Sequence, residues 1–338
     1  MTRDSFSTCR QSTNRRFRAI LFTSFALLVP GNAAANPEGG TVASGSATIV
    51  KESPGKLTVK QQSNRTVINW RNFSIGEGEQ THFQQPPGGA ALNRVTSSQV
   101  SRILGKLTAT GKVFLVNPNG VVFGKNAQVD VSALVSSIHD VRNRDFMAGR
   151  LRFTIPGHAD AKITNQGTIS VKEGGLVALV APSIENSGII YARLGRVALA
   201  AGDAVTIDPY GDDLITFEVP EGVAAQLTDP DHNPAAALID LSGNILANGG
   251  GVLITADKAR SVVDNAVNMT GFVEARSLST RGGKVILRGG SGNVTVDGTI
   301  DTSGLGAASG GEVRVTTDGS LTMTSQGRIL AEGGADGG

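Results

Sequence analysis

The sequence predicts an all-β protein, a right-handed parallel β-helix with short loops or hairpins leaving the solenoid, and three observations carry this. A unit of the form polar-x-Gly-x-Ile/Val-x-small followed by Gly-x-Val-x-Leu recurs from residue 163 onward. No segment holds a 3.6-residue apolar stripe of helical length, whereas period-2 alternation between Gly, Asn, Asp and Ser turns is everywhere. Glycine makes up 44 of 338 residues and aromatics 4%, too little bulk for a conventional core but enough for thin stacked layers.

The repeats set the architecture. Asn165-Gln166-Gly167-Thr168-Ile169 precedes Gly175-Leu176-Val177-Ala178-Leu179, and Asn186-Ser187-Gly188-Ile189-Ile190 precedes Gly195-Arg196-Val197-Ala198-Leu199. The unit returns at Gly243 with Gly251, at Gly271 with Gly283, at Gly298 with Gly311, and begins again at Gly327. Short strands that cannot bury their inward row alone are explained by coils stacked about 4.8 Å apart, so that Val, Ile, Leu and Ala form continuous ladders. Roughly 12 coils would make a rod on the order of 60 Å long. A sandwich needs longer strands and a propeller a longer period.

At the start, Arg3, Arg10, Arg15, Arg16 and Arg18 precede the apolar run from Ala19 to Val29, and Ala33-Ala34-Ala35 follows. This reads as a secretory signal peptide over residues 1–35, with Ala33 and Ala35 at the cleavage site. The apolar run is about half of the roughly 20 residues a spanning helix needs, and no later stretch is long enough, so no transmembrane segment is expected in the mature chain. Removing the leader takes away five of 31 basic and one of 29 acidic residues, leaving 26 against 28 and a net charge near −2. No basic patch with interleaved aromatics remains in the sequence, which argues against nucleic acid as a partner. The one cysteine, Cys9, lies in the leader, so the mature chain forms no disulfide.

Two segments interrupt the pattern and read as loops or hairpins leaving the helix. Residues 79–90 contain Pro86-Pro87-Gly88-Gly89, and proline removes ladder donors. Residues 208–237 contain Asp212, Asp213, Asp229 and Asp231, which lack the spacing of a calcium loop and read as solvated. His82, His139, His158 and His232 are scattered without a metal-ligand pair, Gly304 to Gly310 has no helix behind it to make a dinucleotide loop, and no Gly-x-Ser-x-Gly elbow occurs. No catalytic residue, cofactor or metal site is assigned. Four glycosylation-type acceptors, at Asn64, Asn72, Asn268 and Asn293, are read as chance in so Asn- and Thr-rich a chain.

The centre of the chain is the stretch from Lys112 to Gly124, where two apolar β runs meet at Asn117-Pro118-Asn119-Gly120. Pro118 presets φ for a first turn position, Asn117 can bond its own backbone two residues on, and Gly120 suits the exit of a type I turn. Within the flanking alternation, Val113 and Leu115 are expected on one inward face, as are Val129, Val131, Ala133 and Val135.

Ala91-Leu92-Asn93-Arg94-Val95-Thr96 upstream, Ile103-Leu104-Gly105-Lys106-Leu107, the turn, and Val129 to Ser137 downstream follow in an order that resembles the N-terminal secretion domain of filamentous haemagglutinin-like exoproteins, the two-partner secretion family. Gly40-Thr41-Val42, Gly45 to Ile49 and Val67 to Gly76 match as well, so the resemblance covers roughly residues 39–205. It implies a secreted or cell-surface protein of a Gram-negative cell, not an enzyme. An outer-membrane transporter, a barrel with periplasmic recognition domains, would be its export partner, and a host-cell or carbohydrate surface ligand its target as an adhesin or haemagglutinin. Carried over residue by residue, Asn93, Arg94, Val95 and Thr96 with Asn117, Pro118, Asn119 and Gly120 are the transporter-recognition motifs. A second asparagine-proline motif that some relatives carry nearer their start is not found. The resemblance divides the chain into the leader, a secretion domain over residues 36–285, and the start of a further β-helical repeat region over 286–338, apparently truncated. The competing function is a β-helical polysaccharide lyase or hydrolase, which would set acids and bases along one outer face.

Overall fold

A computed structural model describes residues 36–202, 205–208, 215–217, 237–256, 265–278 and 281–334. Alternating short strands separated by Gly and Asn corners wind into coils, and the coils stack into three long sheets. Sheet 1 holds ten strands from Thr41–Ser44 to Glu312–Thr316, sheet 2 eleven from Ala47–Ser53 to Arg328–Leu330, and sheet 3 eight from Ser101–Ile103 to Leu321–Met323. Each coil visits sheet 3, then 2, then 1: Val121–Phe123, Gln128–Val131 and Ala133–Ser137 in one, Lys162–Asn165, Thr168–Val171 and Leu176–Ala181 in the next. The pairing between these coils is parallel and in register on all three sides, Val121 with Ile163, Val129 with Ile169, Leu134 with Val177. This is the parallel β-helix that the repeats predict.

The repeat letters map onto ladders. Ile169, Ile190, Ile245, Val273, Ile300 and Ile329 align on sheet 2, and Val177, Val197, Val252, Val285 and Val313 on sheet 1. Ile169 to Ile300 are wholly buried, and each such side chain contributes about 1.5–3 kcal/mol of transfer free energy. Ile329, in the last strand of sheet 2, is 41% exposed because no coil lies beyond it among the described residues. The glycines of the repeat have a steric cause. A Cβ built on Gly188, Gly243, Gly271 or Gly298 would strike the carbonyl oxygen of the glycine one coil earlier, so only hydrogen at that corner lets the turns stack.

The N-terminal end is closed by antiparallel pairing that the repeats do not announce. Thr41–Ser44 runs antiparallel to Arg65–Trp70, and Ala47–Ser53 turns back onto Lys56–Gln61. Val42, Ala47 and Ile49 thereby cover the first coil, where Trp70, Phe73 and Phe83 pack. Because this cap and the lateral excursions consume chain, sheet 2 has ten levels in parallel register after its first strand, about 43 Å at strand spacing and fewer than the 12 coils expected.

Residues 79–90 do not leave the helix as expected. Gln80–Gln84 is a strand of sheet 2 and Ala90–Val95 a strand of sheet 1, and only the Pro86-Pro87 corner between them stands outside the ladders. The buried Gln85 holds that corner, accepting from Gly111 N at 3.0 Å and donating to Gln61 Oε1 at 3.0 Å and Lys112 O at 3.1 Å. The excursion that does leave follows Ser137. Asp140–Val141, Leu151–Ile155, Val205–Ile207 and Ile215–Phe217 form a four-stranded antiparallel sheet, and with the short helix Asn143–Met147 it makes a lateral cap on the outer face of sheet 1. Ile215–Phe217 belongs to the segment read as a loop or hairpin over 208–237, and Asp212, Asp213, Asp229, Asp231 and His232 lie outside the described residues.

The lateral cap creates a second core. Leu92, Phe114, Val135, Phe146 and Phe153 are buried in it, with Phe114 and Phe146 edge to face at 5.1 Å. Strands covered on both faces lose their alternation, and Leu176–Ala181 is buried at all six positions. This corrects one predicted face. Val129 and Val131 are inward, but the chain corners at Ser132, so Leu134 takes the next inward place while Ala133 and Val135 point into the second core. Period-2 counting fails there because it ran across a corner between two sheets.

Candidate functional site

The two motifs lie on successive coils, at the corner where sheet 1 hands over to sheet 3. Asn93, Arg94 and Val95 belong to the strand Ala90–Val95, which leaves its last side chains alternately inside and outside. Asn93 is a polar residue in an apolar ladder, between Ile68 and Leu115, and is wholly buried. Its Oδ1 accepts the indole N–H of Trp70 at 2.9 Å, and its Nδ2 donates to Phe114 O at 3.2 Å and Ala91 O at 3.3 Å. Val95 is buried in the main core, and the exposed Thr96 donates through both its amide, at 2.8 Å, and its hydroxyl, at 3.0 Å, to Trp70 O.

Arg94 points outward into the lateral cap. Its Nε donates to Asp140 Oδ2 at 2.7 Å, Nη2 to Val141 O at 2.8 Å, and Nη1 to Asn143 Oδ1 at 2.9 Å and Asn69 Oδ1 at 3.2 Å. The planar guanidinium fits this fork of acceptors, and the ion pair keeps only 16% of the Arg94 side chain and 18% of the Asp140 side chain exposed.

The Asn117 to Gly120 turn is closed by Gly120 N donating to Asn117 O at 3.2 Å, and Gly120 has φ +121°, a backbone state that L side chains rarely adopt. Asn117 is wholly buried with its amide fully used. Nδ2 donates to Gln99 O and Ser101 Oγ, both at 2.9 Å, while Oδ1 accepts from Asn119 N at 2.9 Å and Asn119 Nδ2 at 3.0 Å. Asn119 Nδ2 also donates to Ser97 O at 2.8 Å. On the other side His158 N donates to Pro118 O at 3.0 Å, and a Cβ on Gly157 would stand 3.0 Å from Pro118 Cα. The turn is thus sandwiched between the Ser97 to Ser101 corner and the end of the excursion. Pro118 and Asn119 remain half-buried.

All eight motif residues therefore fall in one hydrogen-bonded stack of corners. The residues that complete it, Ser97, Gln99, Ser101, Asp140 and Asn143, carry no local signal, since Asp140 and Asn143 are 46 and 49 residues from their partner Arg94. The cleavage-site residues Ala33 and Ala35 lie outside the described residues. Among the described residues no group of His, Cys, Asp and Glu is placed to hold a metal, and no helix is long and apolar enough to cross a membrane.

An end-capped parallel β-helix whose corner motifs anchor a lateral cap defines a β-helical secretion domain. The family model described as the TPS secretion domain matches residues 33–302, and the chain belongs to that family, the exoproteins of two-partner secretion. Members of this family are secreted across the outer membrane with a transporter partner. The chain is 30% identical over 277 residues to a heme/hemopexin-binding protein of Haemophilus influenzae, covering 79% of this chain and 29% of the relative. A second protein so named from the same species is 29% identical over 266 residues, covering 72% and 27%. The chain thus spans less than a third of the length of these relatives. The crystal structure of the HMW1 secretion domain from Haemophilus influenzae superposes with a TM-score of 0.71 at 29% identity, covering 88% of this chain and 75% of that one. The filamentous hemagglutinin secretion domain shares the fold, with a TM-score of 0.59 at 14% identity over 88% and 98%.

Proposed function

We propose that this chain directs the export of a surface adhesin or haemagglutinin, by presenting Asn93 to Thr96 and Asn117 to Gly120 to the periplasmic domains of an outer-membrane transporter after a signal peptide over residues 1–35 has carried it into the periplasm. The observation that supports this reading is the single corner stack that joins both motifs, with Thr96, Pro118 and Asn119 at its accessible edge and Asn93 and Asn117 holding its shape from within. In this reading residues 36–285 form the secretion domain, and 286–338 begin a further repeat region of the exported protein.

The test is co-expression with the transporter. Asn117→Ala and Asn119→Ala should leave synthesis and a mature N-terminus at Asn36 intact and lower extracellular yield, and normal yield from both would remove the assigned role. Purified variants should be melted in parallel, because a loss of yield in Asn119→Ala at native stability points to contact, whereas loss that tracks stability points to folding. The names of the two Haemophilus relatives favour a second reading of the cargo, capture of haem or hemopexin. Absorbance titration with haem and a hemopexin pull-down on the full chain would decide between them.

A further inference from the structure

The mature chain's charges nearly cancel, yet the fold gathers cations that are far apart in the sequence. On the outer face of sheet 1, beside the lateral cap, two cavities of about 620 and 660 Å³ share Leu194, Gly195, Arg196 and Arg281 and so form one groove. Its described lining runs from Arg65 to Arg288 across eight successive strands of sheet 1, about 34 Å at strand spacing.

The charges along it are set by register. One row of residues reads Arg65, Ala90, Lys112 and Ala133, then Leu176, Arg196, Gly251 and Lys284. The cations stand at the first, third, sixth and eighth places, about 10, 14 and 10 Å apart, with only small or apolar residues between them. Lys172, Arg281 and Arg288 flank the row, and Phe114, Val135, Leu253 and Ile286 make an apolar floor. Against these seven cations the described lining has one acid, Glu173, which is already ion-paired to Arg193 at 2.9 Å. Beyond Lys284 the row ends at Glu312, which accepts from Lys284 at 3.2 Å.

The ligand must be elongated and anionic, and the groove discriminates among such chains. The interior strands of sheet 1 are paired on both sides, so the floor offers no open edge to which an acidic peptide could add a strand. The one aromatic ring in the floor, Phe114, is engaged edge-on by Phe146, so there is no stacking platform for the bases of a single-stranded nucleic acid. We propose that this groove binds a linear acidic polysaccharide, its carboxylates or sulfates meeting the spaced cations and its ring faces lying on the apolar floor. The proposal rests on the adhesin reading for its biological use, and its test requires neither transporter nor cell.

The full chain, purified after export, is titrated with dextran sulfate, with neutral dextran of the same length, and with polyglutamate and single-stranded DNA of matched charge. Dextran sulfate should bind, more weakly as salt rises, and neutral dextran should not. Replacing Arg196, Arg281, Lys284 and Arg288 together by Gln should lower the affinity about tenfold or more at an unchanged melting temperature. Removing four exposed charges from the sheet 2 side, Lys51, Lys56, Lys60 and Lys106, should change it less than about twofold. Should the quadruple groove variant fold poorly, Arg281→Gln with Arg288→Gln carries the test, with a loss of about threefold expected. No binding of dextran sulfate, equal loss from the sheet 2 control, or tighter binding of polyglutamate or DNA overturns the proposal. Groove-dependent binding of dextran sulfate without cell adhesion would keep the proposal and refute the adhesin reading alone.

Discussion

Asn93→Leu should destabilise the protein although Leu fills nearly the same space in an otherwise apolar ladder. The side chain is wholly buried, and the substitution strips the indole N–H of Trp70 of its acceptor at 2.9 Å. A buried orphan donor costs about 1–3 kcal/mol. The carbonyls of Ala91 and Phe114 lose one donor each, at 3.3 and 3.2 Å, and add less because a carbonyl has a second lone pair. A total of about 2–3 kcal/mol corresponds to a fall in urea midpoint on the order of 1 M. Trp70 is the only tryptophan, so its fluorescence reports on the coil that contains the perturbed bond, and far-ultraviolet circular dichroism reports on the rest. Trp70→Phe removes the donor instead of the acceptor. In the double variant, followed by circular dichroism, the two losses should fall short of additivity by about 1–2 kcal/mol. Asn93→Leu at native stability or above, or strictly additive losses, would refute the assignment of Asn93 as the internal partner of Trp70.

Arg94→Met should loosen the lateral cap without melting the coils, since it deletes four bonds and leaves the Asp140 carboxylate largely buried without its cation; a loss of about 2–4 kcal/mol of local stability is expected, read as faster trypsin cleavage after Arg142, Arg144 and Arg150 and faster amide exchange over 140–155. Unchanged protection there would mean that the cap is held by its apolar contacts alone. Val131→Asp places a charge in a wholly buried ladder position and should cost several kcal/mol and cause degradation in the periplasm, whereas Asp130→Asn, on the exposed face of the same strand, should be nearly silent in melting and yield. Asp240 sits in register with Glu185 on the outer face of sheet 3, and burial first and the Glu185 charge second push its carboxyl above the usual range. A raised carboxylate pKa in the folded state penalises folding above that pKa and is relieved as pH falls through it, so Asp240→Asn should raise the urea midpoint at pH 7 and lose that advantage below about pH 4. A gain that grows on acidification would contradict this.

The fold class was legible because a solenoid is held by nearest-neighbour contacts that repeat. Each unit must supply the same inward Ile or Val and the same corner glycine, and so writes its role into the sequence at a fixed period, as Gly167 and Gly188 or Ile169 and Ile190 do. The corner at Asn117 to Gly120 was legible for a related reason, since turn chemistry is local: Asn119 N on Asn117 Oδ1 and Gly120 N on Asn117 O are bonds within four residues. Inward and outward were readable within a strand, as at Val129 and Val131, but not across the corner at Ser132, which sends Val135 into a different core.

What only the tertiary structure decided are contacts whose partners are set by stacking or by an excursion folding back. Nothing around Arg94 announces Asp140 or Asn143, and nothing around Asn93 announces that its amide serves the indole of Trp70 one coil earlier. The antiparallel end cap and the lateral cap break the period, and so left no periodic trace. The basic row is the extreme case. Arg65, Lys112, Arg196 and Lys284 are single cations in four separate stretches of a chain whose charges nearly cancel, and only the register of sheet 1 sets them on one line. Periodic, short-range forces are written along the chain, whereas the surface that results is a sum over coils, which no single stretch of sequence contains.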